Sequence, residues 1–145
     1  MQVAGCATEL LVPHWIMDRL KEALNQYVRG EWLSSIALCG AIVEFLAADL
    51  FVAYAERIPK GEHHSKSVTR NLEKLTKLKI IDDAYKKLNE TRDLRDKHIH
   101  LKRLGQDAGS LRMDNVRVLK DLLEFFNTES MLSKHERYLA YLSQC

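Results

Sequence analysis

The sequence predicts an all-α bundle of five or six helices, and three observations lead there. Glycine and proline are sparse, six and two in 145 residues, so the turn signals that an all-β sandwich or barrel requires are missing. Apolar residues make up 46% of the chain, enough for a core within one domain, residues 1–145, and too many for disorder. They recur at helical rather than alternating spacing.

The elements follow in order. A first helix opens at Pro13, where an N–H would lack an intrahelical partner anyway, carries Ile16, Leu20, Leu24 and Tyr27/Val28, and stops at Gly30. A second runs from about Glu31 to Glu56, before Pro59. Its stripe is Ile36, Cys39/Gly40, Val43, Leu46/Ala47, Leu50 and Tyr54, while Leu33, Ile42, Phe45 and Val52 fall outside it. A helix apolar nearly all round belongs at the centre of a bundle or against a partner subunit. A third helix covers about Ser65 to Leu78, and a fourth starts at Asp82 or Asp83 and continues to about Arg103. Gly105 to Ser110 reads as a loop, after which Asp114 caps a fifth helix bearing Val118, Leu119, Leu122 and Phe125/Phe126. A short last helix holds Leu132, Leu139 and Leu142.

Charge and cysteine usage narrow the functional classes. The formal net charge of +2 excludes a generic polycation that binds nucleic acid by bulk charge. Cys6, Cys39 and Cys145 are odd in number, far apart and without zinc-ligand spacing, which fits a reducing compartment. Val3-Ala4-Gly5-Cys6 resembles a bacterial lipoprotein cleavage box but has no charged start or apolar segment before it, and the uncharged run Trp32 to Val43 is too short to cross a bilayer. The expectation is a cytoplasmic protein with no membrane, metal or cofactor.

The fourth helix holds the anomaly. With Ile81 as reference direction, Leu88 and Ile99 fall within about 20° and Tyr85 within about 40°, yet Arg92 and Arg95 fall in the same sector. Guanidiniums on an apolar face need a carboxylate, a phosphate or a wet cleft to offset desolvation. Leu94 and Leu101 decorate the opposite side, which points to a second subunit there. On the third helix Lys66, Arg70, Lys74 and Lys77 share a face, either a phosphate track or a solvated surface without interleaved aromatics. Two registers of arginine and histidine stand in the fourth helix: Arg95-Asp96 with His100, and Arg92-Asp93 with His98.

The segment Arg95-Asp96-Lys97-His98-Ile99-His100 resembles the motif of the HEPN superfamily, small helical bundles with an arginine, a polar residue and a histidine a few positions on. The resemblance implies a homodimer whose motifs face one cleft and a metal-independent endoribonuclease acting on single-stranded RNA. It also implies a toxin or defence effector, with a cognate antitoxin or regulatory protein as a further partner. On it, His100 is the proton-transfer residue, Arg95 the phosphate clamp and Asp96 the group that orients one of them; Glu44 completes the cleft. Lys102, Arg103, Arg92 and His98 would contact RNA. A subset of family toxins carries a modifiable tyrosine two residues after the motif histidine; this chain has Lys102 there, which departs from that mode of control.

The chemistry explains the residue types. An imidazole that titrates near neutrality can take a proton from a ribose 2′-hydroxyl, and a guanidinium offers a planar fork to phosphate oxygens. Arg95 and His100 point about 140° apart on one ideal helix, so a twofold arrangement would help them converge. The alternatives are a non-catalytic HEPN-type module binding RNA, nucleotide or a protein, and a plain helical interaction protein.

Overall fold

The computed structural model describes residues 14–59, 68–80, 86–99 and 108–127. Five α-helices account for nearly all of them, and no strand occurs among the described residues. They are α1 (His14–Val28), α2 (Trp32–Ala53), α3 (Val68–Lys77), α4 (Lys86–Ile99) and α5 (Ala108–Asn127), with a short 3-10 turn, Ala55–Arg57, after α2. The expected last helix, and the positions Pro13, Ile81 to Tyr85 and Leu101, lie outside the described residues.

The α1–α2 hairpin is set by Gly30, whose φ of 80° lets the chain reverse without a Cβ clash. Glu31 N donates to Gln26 O at 2.8 Å and Gly30 N to Tyr27 O at 3.0 Å, the paired bonds of a left-handed helix stop. Within the hairpin Ser35 Oγ donates to Ala23 O at 2.7 Å and accepts from Asn115 Nδ2 at 3.0 Å, tying α1, α2 and α5 through one buried hydroxyl.

Every other described helix packs against α2. That is why it is apolar nearly all round: Ile36, Cys39, Ile42, Val43, Leu46, Ala47 and Leu50 are buried in the common core. Ile42 belongs to that buried set, contrary to the sequence stripe, whereas Leu33, Phe45 and Val52 do face outward. By length and composition α2 could cross a membrane, since its apolar character continues past Glu44 to Ala53; half of the stretch is buried inside the bundle, as in a core helix. Burial also pushes the Cys39 thiol up to about 12, which leaves it protonated and unreactive in the folded protein.

α3 buries Leu72 and Leu75 and stops by the same device as α1, with Lys79 in place of glycine. Ile80 N donates to Leu75 O at 2.9 Å, Lys79 N donates to Thr76 O at 2.9 Å, and Lys79 takes a φ of 58°. A side chain with a Cβ is strained there. Lys79→Gly is therefore expected to raise stability by about 0.5–1 kcal/mol, read from urea unfolding midpoints. A lower midpoint would mean that the Lys79 side chain itself contributes more than the strain removes.

Three expectations about α4 and α5 are corrected. α5 already begins at Ala108, so Ala108 to Ser110 are helical and Asp114 sits inside the helix instead of capping it. Its carboxylate is taken up by side chains of α4, which explains an acidic residue in a helix interior. Ile99 is 40% exposed; the inward line of α4 is Leu88, Thr91, Arg95 and His98, where Arg95 meets Glu44 on α2 and His98 meets Asp114 on α5, while the buried Thr91 hydroxyl has no hydrogen-bond partner among the described residues. Leu94, partly buried, packs against the protein's own core.

Candidate functional site

The site is built around Arg95, which α4 presents to the middle of α2. Its Nη2 donates to Glu44 Oε1 at 2.6 Å and its Nε to Asp96 Oδ1 at 2.9 Å. Asp96 in turn accepts from Arg92 Nη1 at 2.8 Å on its other oxygen, and Arg92 Nη2 donates to Asp93 Oδ1 at 2.6 Å. The result is a ladder of alternating charge, Glu44–Arg95–Asp96–Arg92–Asp93, that crosses from one helix to another. The Arg95 side chain is only 16% exposed, while that of Glu44 is 41% exposed, so the ladder has an inner and a wet side. The outermost pair, Arg92 with the 64% exposed Asp93, contributes at most about 1 kcal/mol to stability, while the inner pairs are part-buried. Their effect is to fix where the Arg95 fork points.

The sequence placed Arg95, Asp96 and Glu44 in one site, and the structure brings these three together with Arg92. His100, Lys102 and Arg103 lie outside the described residues. His98 is turned elsewhere: its side chain is 1% exposed, and Nε2 lies 2.7 Å from Asp114 Oδ2. Lys97 Nζ donates to the same oxygen at 2.9 Å. Arg92 and His98, the second register, therefore have separate partners: Arg92 bonds Asp93 and Asp96, and His98 meets Asp114.

Partial burial pushes the Asp114 carboxyl up, but the hydrogen bonds from His98 and Lys97 outweigh it and hold the group below the usual aspartate range. A carboxyl depressed by folding adds stability that is complete above the unfolded value, about 3.9, and is lost as pH falls through the folded value. Urea unfolding at pH 6 and pH 3 should accordingly show a larger drop for the wild type than for Asp114→Asn. Equal drops would show that this carboxyl does not couple acid to unfolding.

Two further features lie outside the ladder. A groove of about 400 Å³ is lined by Leu72, Glu73, Thr76, Lys77 and Asn89, between α3 and α4. On α3, Arg70 and Lys77 are exposed and Lys74 is partly so, which agrees with a hydrated basic face; Lys66 lies outside the described residues. Among the described residues no group of three or more His, Cys, Asp and Glu side chains is arranged to hold a metal ion.

Sequence reasoning missed the role of Asp114, which meets His98 and Lys97, and that of Gly40, over which the Arg95 stem passes. Asp114 passed for a cap, and Gly40 for one more member of an apolar stripe. A glycine inside a strongly helical segment was the available signal, since it marks close approach of another group.

Fold and site together define a class: an all-α bundle with a two-helix arginine–carboxylate ladder. Compared with protein-family models, with curated proteins and with solved structures, the chain matches none.

Proposed function

We propose that the protein is a metal-independent endoribonuclease of HEPN type that cleaves single-stranded RNA. The observation that carries the reading is the Arg95 guanidinium, held in one direction by carboxylates from two helices and still partly open to water. In this role Arg95 receives the scissile phosphate, whose charge grows in the transition state. His100, five residues on, takes the 2′-hydroxyl proton. The 2′-oxygen then bonds to phosphorus, the bond to the 5′-oxygen breaks, and a proton passes to the leaving oxygen, giving a cyclic phosphate and a 5′-hydroxyl. Asp96 and Glu44 orient Arg95. Lys102 and Arg103 supply further phosphate contacts.

A second copy of the chain completes the cleft in this reading, because residues five apart, as Arg95 and His100 are in sequence, would point about 140° apart on an ideal helix. A cytoplasmic toxin or defence effector, held in check by a cognate antitoxin or regulatory protein, is the biological setting we propose. A second reading, a non-catalytic module for RNA, nucleotide or protein, has one observation in its favour: Nε and Nη2 of Arg95 both bond the protein's own carboxylates.

The test is incubation of labelled single-stranded RNA with the purified protein in EDTA. Wild type is expected to cut, and His100→Ala to lose activity by about 10²-fold or more. Binding without cleavage by wild type would move the conclusion to the module.

A further inference from the structure

We infer that Gly40 is a positioning residue for Arg95: its missing side chain is a notch in α2 that seats the arginine stem and aims the guanidinium. The inference rests on the nuclease reading.

Glycine is the least favoured residue after proline in a helix interior, and α2 places small alanines at Ala37, Ala41, Ala47 and Ala48 without difficulty. Position 40 differs in what lies above it. A methyl group built on Gly40 would stand 2.8 Å from Arg95 Cγ and 2.9 Å from both Cδ and Nε. Three consecutive atoms of one stem thus occupy the space an alanine would need. Glu44 follows one turn later on the same face of α2 and accepts a hydrogen bond from Nη2 at 2.6 Å, so the helix grips the side chain at its middle and at its tip. Asp96 holds Nε from the other helix.

An arginine stem has several rotatable bonds, and without a seat its fork samples many directions. A methyl at position 40 lifts the middle of the stem and displaces the fork from Glu44 and from the phosphate position. Misplacement by about 1 Å is enough to lower a rate about 10²-fold. The atoms in the way belong to a side chain and not to backbone, so α2 itself accepts alanine.

The experiment compares Gly40→Ala, Arg95→Ala and the double variant in the full chain, by steady-state RNA cleavage and by thermal unfolding. Gly40→Ala is expected to lower kcat about 10- to 100-fold while KM stays within about threefold, with no additional loss when it is added to Arg95→Ala. Any loss of thermal stability in Gly40→Ala should vanish in the double variant, where the stem is gone. Wild-type cleavage in Gly40→Ala beside an inactive Arg95→Ala would overturn the role of Gly40 and leave the nuclease standing. Unfolding of both Gly40→Ala and the double variant would also overturn it, because the glycine would then serve backbone packing alone. If Arg95→Ala cuts as well as wild type, Arg95 leaves the mechanism and this inference falls while a nuclease remains; if wild type does not cut, the nuclease reading falls and this inference with it.

Discussion

Arg95→Ala is expected to lower RNA cleavage by about 10²- to 10³-fold with the bundle intact. On the proposed reading, the loss follows from removing the fork that would receive the scissile phosphate as charge builds on its oxygens. The intact fold follows from exposure: Glu44 and Asp96, left without their partner, are 41% and 28% exposed and can be rehydrated. The change in unfolding free energy should stay within about 1 kcal/mol. Arg95→Lys keeps the charge but not the planar two-point geometry, so it should recover only part of the rate. Circular dichroism and urea unfolding beside the cleavage assay separate the two effects. Cleavage within about threefold of wild type in Arg95→Ala would remove Arg95 from the mechanism.

The largest stability effect is expected in α2. Leu46→Ala empties a fully buried position in the helix against which all the other described helices pack, and should cost about 3 kcal/mol, within the usual 2–5 for such truncations. Phe45, its neighbour in sequence, lies on the outward side with an edge-on contact to Trp15 at 5.6 Å. Phe45→Ala should therefore cost only about 1 kcal/mol. Denaturant midpoints at constant slope test both. A larger loss at Phe45 than at Leu46 would mean that the outward face of α2 is covered in solution.

The contrast between these two positions shows what the sequence reveals. Apolar periodicity located α1, α2 and α5 because Ile16, Leu20, Val118, Leu119 and Leu122 are buried for the reason the pattern assumes: they are hydrophobic. α4 defeats that assumption. Thr91 and His98 are buried and Ile99 is exposed. For His98 and Arg95 the deciding partners, Asp114 and Glu44, come from other helices, and no local count of hydrophobicity contains them. The motif alone could associate Arg95 with Asp96, its neighbour in sequence. Glu44 joined them through resemblance. The seat at Gly40 required knowing which side chain passes over it.

The ladder has a consequence for how a polyanion would dock. Three acids and two bases leave it with a formal surplus of one negative charge, so on the proposed reading a phosphodiester would compete with Glu44 and Asp96 for the Arg95 fork. One anion replaces another, and few bound counterions are released in the exchange. At Arg95 itself such an exchange responds weakly to added salt and strongly to the shape of what arrives, whereas phosphate contacts from Lys102 and Arg103 would add salt sensitivity.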